Sequence, residues 1–404
     1  MTASVAWVGA VLFLLGALAV CYTFAGYPLL LALAGMVRRS DRPGVGEGRG
    51  IRDQSPRISI TVPVYNEVHQ IEKLLKSLVA LDYPEECRQI LIVSDGSDDG
   101  TDEVVRRWAE RGVELLVVQE RRGKGAAENV ARPHLTGEIV VNTDASIRIR
   151  PDALRPLVRP FADPTVGVVS GRDVSVSRQE GNADTGEGGY VGYEMMVRDL
   201  ETRVGGIVGA SGCFYATRGE LHEVEVSPEL SRDFAAALVA REKGYRAISV
   251  PEAVCYVPRT ASLGREYRRK VRTVARGMST LWAWRHLLNP LRHPGFAWKL
   301  FSHKVCRWSL PVAALVGLLG LGLMAVEWTW AAWGLAVAGG ILGVATVGWA
   351  LSVRGYSLPR PVSVLAFLLA SNVAVVHAAA RALGRGSERL WEPTRRELAS
   401  GPGS

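Results

Sequence analysis

A chain of 404 residues has room for more than one folded region at roughly 150 residues per domain, and its apolar residues, 48% of the total, are gathered at the two ends. The formal net charge of +8 invites nucleic acid as a partner, yet the basic excess lies beside apolar stretches and in a cluster from Tyr267 to Arg276. That distribution suits anionic membrane lipids and a diphosphate and argues against nucleic acid. Cys21, Cys87, Cys213, Cys255 and Cys306 stand singly with no CxxC pair, which speaks against a disulfide framework or a zinc site.

Residues 1–37 carry no charge, a run longer than the roughly 20 residues an α-helix needs to cross hydrocarbon. One helix, tilted or emerging beyond the lipid, accounts for it. Arg38, Arg39 and Arg42 follow the apolar run instead of preceding it, the pattern of a retained anchor whose following residues are cytoplasmic. Residues 38–56, rich in Gly, Pro and charge, read as a linker.

From 57 to 258 short apolar runs alternate with helical patterns. ISITVPV is followed by a helix near 68–80, QILIVS by one near 99–111, VELLVV by one near 123–134, and EIVVNT closes the series. This alternation predicts βαβ units and a parallel sheet covered by helices. Ligands of such sheets bind beyond the carboxyl ends of the strands, where Tyr65-Asn66-Glu67, Asp95-Gly96-Ser97 and Asp144 fall.

Residues 259–307 turn Arg-rich and amphipathic, with aromatic side chains interleaved, as in helices lying in a membrane interface. Within 308–383 three uncharged stretches, Trp308 to Val326, Trp328 to Val353 and Pro361 to Ala380, are expected to cross the membrane. Lys299, Lys304, Arg307, Arg354 and Arg360 are placed for a cytoplasmic location. With four crossings the basic tail, 384–404, falls outside against the charge rule, so the topology of the last span stays open.

Pro63-Val64-Tyr65-Asn66-Glu67, Asp95-Gly96-Ser97-Asp98-Asp99-Gly100-Thr101, Arg122-Gly123-Lys124-Gly125 and Asn142-Thr143-Asp144-Ala145 occur in that order. The ordered set over about 57–277 resembles the family 2 glycosyltransferases, and the flanking spans resemble the membrane polysaccharide synthases of hyaluronan and cellulose. The resemblance implies an α/β GT-A (Rossmann-like) catalytic domain inserted between transmembrane helices. It also implies a nucleotide-sugar donor, with a UDP-sugar favoured, and Mg2+ or Mn2+.

Residue by residue, the resemblance places Asp95 on the base or ribose and Tyr65 and Glu67 in the loop over the nucleotide, with Pro63, just before them, a further donor-binding candidate. Asp98 and Asp99 suit a turn or helix cap better. Lys124, after a glycine at a helix start, suits phosphate through its ammonium and the free N–H groups there. Asp144 matches the first aspartate of a DxD metal motif, with Ser146 in place of the second. Inverting transfer needs a base for the acceptor hydroxyl. Asp233, in Leu230-Ser231-Arg232-Asp233-Phe234, resembles the family's base, although Arg232 stands where an acid is usual.

Ser211, Gly212 and Cys213 are acceptor candidates, because small residues let a sugar approach the backbone; packing against a strand is the equal alternative. Arg269 and Arg272 occupy the place of a QxxRW motif and suit the donor diphosphate, with Arg269 for the glutamine and Thr273 for the tryptophan. Arg276 fits either that task or lipid headgroups. The reading is inverting transfer at the cytoplasmic face of the cell membrane, to a growing polysaccharide with export or singly to a lipid carrier. Four spans are few for a pore, so a homo-oligomer or an export subunit is a further expected partner. A nucleotidyltransferase would place a Gly-rich loop after the first strand, and a silent scaffold would be expected to lack some of Asp95, Asp144 and Asp233.

Overall fold

The structure, a computed structural model, describes residues 2–37, 55–176, 185–258 and 263–384. Most of the linker and the tail beyond Gly384, with Arg38, Arg39, Arg42, Arg385, Arg389, Arg395 and Arg396, lie outside the described residues. The first helix, α1 (Thr2–Cys21), passes through a π turn (Tyr22–Gly26) into α2 (Tyr27–Val37). Together Ser4–Val37 form a 34-residue apolar rod, about 50 Å long at 1.5 Å per residue, against roughly 30 Å of hydrocarbon. The excess length serves packing: Val11 and Leu18 are exposed, whereas Tyr27 and Leu31 in α2 are buried against Val197.

The anticipated alternation follows as β1 (Ile58–Val64), α3 (Val68–Val79), β2 (Arg88–Asp95), α4 (Thr101–Arg106), β3 (Val113–Val118), α5 (Lys124–Ala131) and β4 (Ile139–Thr143). All seven residues of β1 are buried, as expected for a strand covered on both faces. Pro63 lies beyond the last β1–β4 pair, Thr61 with Asn142, so its missing N–H costs that ladder nothing. Helix α3 buries Ile71, Leu74, Leu75 and Leu78, the i, i+3, i+4, i+7 stripe of an amphipathic helix.

The chain continues through β5 (Arg148–Ile149), α6 (Leu154–Val158), β6 (Val166–Val176), α7 (Thr185–Arg203), β7 (Phe214–Arg218), α8 (Gly219–His222), α9 (Arg232–Glu242) and β8 (Arg246–Pro258). Among the described residues the sheet has eight strands in the order β3-β2-β1-β4-β7-β6-β8-β5. It is mixed, which corrects the expectation of a parallel sheet. Strands β1 to β4 pair in parallel, but β7 enters antiparallel to both β4 and β6. Alternation within 57–143 carries no information about a strand that arrives some seventy residues later. Ile60, Val62, Ile90, Ile92, Val141 and Phe214 form the centre of the core on one face of this sheet.

Beyond the domain come α10 (Leu263–Ala283), α11 (Pro294–Leu300), a π turn (Phe301–Val305), α12 (Cys306–Trp308), α13 (Leu310–Met324), α14 (Thr329–Val353) and α15 (Arg360–Leu383). Among the described residues three helices are long and apolar enough to cross a membrane: Ser4–Val37, Thr329–Val353 and Arg360–Leu383. The span expected over Trp308 to Val326 falls on α12 and α13, a pair broken near its start. Its helix α13 has only 15 residues and reaches spanning length only with Pro294–Trp308, from which it is bent by 60°. Pro311, in the first turn of α13, supplies the reason, since its ring clashes with the carbonyl four residues earlier.

Candidate active site at the carboxyl ends of the strands

The loops after β1 and β2 are clipped together. Asn66, at a left-handed φ of 52°, donates from its amide to Asp98 at 2.8 Å and accepts from the Asp98 N–H at 3.0 Å. Asp99 accepts from the N–H groups of Val68 (3.1 Å) and Thr101 (3.0 Å). Both aspartates therefore hold turns, as their positions before a helix suggested. The Tyr65 ring, in the loop after β1, lies 3.9 Å from the Arg121 guanidinium.

Asp95 is buried at the end of β2 and accepts from the N–H groups of Arg122 (2.8 Å) and Gly123 (2.7 Å). The aspartate assigned to the nucleotide thus also fixes the loop that enters α5. Gly96 follows it at φ +71°, and a Cβ there would lie 2.9 Å from the Arg121 nitrogen, so glycine is required on both counts.

Lys124 opens α5, and its ammonium pairs with Asp144. Burial opposes that charge, but Asp144 and Glu128, the latter 3.8 Å away, outweigh it and hold the lysine above its usual range. Glu67 is buried nearby, and burial, then Asp99 and Asp144, push its carboxyl up to about 7. Gln70 and Arg148 work the other way. Among the described residues no three His, Cys, Asp or Glu side chains converge as a metal cage. Asp144 nonetheless fits a hard cation, because Mg2+ is commonly held by one or two carboxylates with substrate phosphates and water. A cation, the Lys124 ammonium, already lies against it.

The antiparallel entry of β7 completes the site. Thr143 pairs with Phe214, and the Thr143 hydroxyl donates to the Cys213 carbonyl at 2.9 Å, so Gly212 and Cys213 arrive beside Asp144. Asp233, in the first turn of α9, accepts from the Ser231 hydroxyl at 2.6 Å. Its other carboxylate oxygen lies 3.1 Å from where a Gly212 Cβ would be. Of the three acceptor candidates, Gly212 faces the proposed base. Ser211 is buried, with its hydroxyl on Asp173 at 2.6 Å.

Arg269 is held bidentately by Glu266 of its own helix at 2.7 and 2.8 Å, and Arg272 lies one turn further along α10. Arg276 turns inward to the carbonyls of Pro228 and Glu229, the loop leading to α9, and away from a purely lipid-facing role. Sequence reasoning missed Glu128, Asn129 and Asp173. Glu128 sits one helical turn beyond Lys124, and this spacing was the one signal that could have drawn notice.

A mixed sheet with a nucleotide-type loop cluster, a strand-end aspartate at β4 and an antiparallel strand beside it is the GT-A fold of nucleotide-sugar-dependent glycosyltransferases. Residues 59–214 match the family model described as Glycosyl transferase family 2. The poly-beta-1,6-N-acetyl-D-glucosamine synthase of Staphylococcus aureus (strain COL) is 28% identical over 237 residues, 57% of this chain and 56% of that protein. The chain thus spans little more than half the length of that relative. Glycosyltransferase AglE of Haloferax volcanii is 35% identical over 91 residues, 22% of this chain and 30% of that protein. Among solved structures, the mannosyltransferase PcManGT from Pyrobaculum calidifontis, in complex with GDP-Man and Mn2+, is similar over 92% of this chain and 99% of its own, with a TM-score of 0.66 and 26% identity.

Proposed function

We propose that the chain is an inverting, metal-dependent glycosyltransferase that moves a sugar from a nucleotide-sugar donor to a polysaccharide or lipid-linked acceptor at the cytoplasmic face of the cell membrane. The observation that carries this reading is the approach of the Asp233 carboxylate to Gly212, next to the strand end that bears Asp144. A base, an opening lined by glycine and a phosphate-side aspartate with a lysine meet at one end of the sheet.

In the reaction, Asp233 takes the proton of an acceptor hydroxyl as that oxygen bonds to the anomeric carbon. The bond from that carbon to the donor diphosphate breaks on the opposite face, which inverts the centre. Lys124 and the N–H groups opening α5 neutralise the departing diphosphate. Asp144 would hold Mg2+ or Mn2+, whose positive charge supplies further stabilisation of the leaving group. Asp95, Tyr65, Pro63 and Glu67 frame the nucleotide, and Arg269 and Arg272 remain the diphosphate arginines of this reading. The GDP-Man and Mn2+ bound by PcManGT support a nucleotide-sugar and a divalent cation. The synthase relative supports a polysaccharide acceptor.

The test is nucleoside diphosphate release by detergent-purified protein from a panel of UDP- and GDP-sugars, with and without Mg2+ or Mn2+, beside Asp233→Asn. Metal-dependent release from one donor, lost at least about 1,000-fold in the variant, is the expected result. Equal release by Asp233→Asn would remove the base assignment, and silence on every donor would remove the transferase reading.

A further inference from the structure

We propose that Glu128 is a positioning carboxylate that couples the phosphate-side lysine to the helix bearing the base. The proposal rests on the transferase reading above and adds to it how donor and acceptor halves of the site are held in one frame. Glu128 lies on α5 with its side chain only 5% exposed, where an unpaired carboxylate would be costly. One of its oxygens, Oε2, is 3.1 Å from Nε of Arg232, and the other, Oε1, is 3.8 Å from the Lys124 ammonium. Arg232 is the residue directly before Asp233, and its side chain is 9% exposed.

The neighbouring residue tightens the same joint. Arg232 also donates to the Asn129 side-chain carbonyl, and the Asn129 amide donates to the Val226 carbonyl at 2.9 Å. Gly125, one turn earlier on α5, would meet the Pro228 carbonyl at 2.9 Å if it carried a Cβ. One face of α5 therefore grips the whole 226–232 approach to α9, while the opening residue of α5 grips Asp144.

The charges run Asp144, Lys124, Glu128, Arg232 in alternating sign, a neutral chain from the phosphate side to the base helix. Where a diphosphate and its cation would dock, Asp144 would hold the cation and Lys124 would neutralise the phosphate. Glu128 is the carboxylate that stays within reach of Lys124 throughout. Its hold on Arg232 keeps the first turn of α9, and with it Asp233, at a set distance from the lysine that marks the donor. Loss of that hold misplaces the base without removing any donor contact, so the cost belongs in kcat.

Glu128→Gln, Arg232→Gln and the double variant decide this, read by kcat and donor KM for diphosphate release, by calorimetric binding of the nucleoside diphosphate with Mn2+, and by melting temperature. The expected result is a fall in kcat of about 10- to 100-fold in each single variant, with diphosphate affinity within about threefold. The double variant should be no worse than the worse of the two singles, because the contact they share is lost in each. Unchanged kcat in Glu128→Gln, additive losses in the double, or a loss confined to diphosphate binding would each overturn the coupling. If Glu128→Gln does not fold, Glu128→Asp, which keeps the charge but shortens the reach, is read in its place with the same expected loss of kcat. An inactive wild type sinks the transferase reading and this proposal together, whereas an active wild type with an unaffected Glu128→Gln sinks this proposal alone.

Discussion

His222 is buried behind the site and shares a hydrogen bond of 3.2 Å with the Asn142 side-chain oxygen. Burial, then the charges of Arg232 and Arg132, push its imidazole down to about 3 from the ordinary 6.5. Above pH 6.5 the ring is neutral in both folded and unfolded chains, and stability is complete. As pH falls from 6.5 toward 3 the unfolded chain takes up a proton that the folded chain refuses, so stability is lost over that window. At about 1.4 kcal/mol per unit, the loss is of the order of a few kcal/mol. His222→Gln should flatten the fall in melting temperature between pH 6.5 and pH 4, and an unchanged slope would assign the acid sensitivity elsewhere. Asp95 makes a second point at this scale: a residue chosen for the nucleotide already holds two backbone N–H groups. Asp95→Ala should therefore lower the melting temperature as well as activity, by about 1–3 kcal/mol for the two orphaned donors, measured by thermal unfolding in detergent.

At the level of elements, the tightest contact in the apolar part is between α1 and α13. A Cβ at Gly320 would fall 2.4 Å from the Phe13 nitrogen and 2.5 Å from the Gly9 carbonyl, and one at Gly16 would fall 2.6 Å from the Ala313 carbonyl. Small residues allow such backbone approach between membrane helices. Gly320→Leu should push the pair apart and cost about 1–3 kcal/mol, whereas Gly322→Leu, with nothing within 4 Å, should leave the melting temperature in detergent unchanged. Equal effects of the two would show that α1 and α13 are not seated in this way. The same contact accounts for a 15-residue helix in the apolar region: it is clamped along its length by a longer neighbour.

At the scale of the molecule, a buried polar joint ties the N-terminal rod to the catalytic domain and to the segment before α13. The Tyr27 hydroxyl donates to Glu201 at 2.5 Å, and the same carboxylate oxygen lies 2.7 Å from His303 Nδ1. His303 Nε2 continues to Glu194 at 2.9 Å, which pairs with Arg307. Glu201 and His303 are almost fully buried, so losing a donor there is costly. Tyr27→Phe should destabilise the whole protein by about 1–3 kcal/mol while leaving diphosphate release at low temperature intact. A drop in activity without a change in melting would instead give Tyr27 a part in the reaction.

What the sequence determined by itself was local. Charge-free runs long enough to leave water, the alternation of β1 to β4 with α3 to α5, and acids at strand ends all follow from periodicity and loop chemistry within a few dozen residues. Tertiary structure decided the pairings between distant segments. The antiparallel entry of β7 carries Gly212 to Asp144 and Asp233. Arg232, out of place by the family pattern, meets Glu128 from a helix a hundred residues earlier. Each of these depends on strand register, helix facing or close approach across the fold, quantities that no residue's own neighbours in the chain encode.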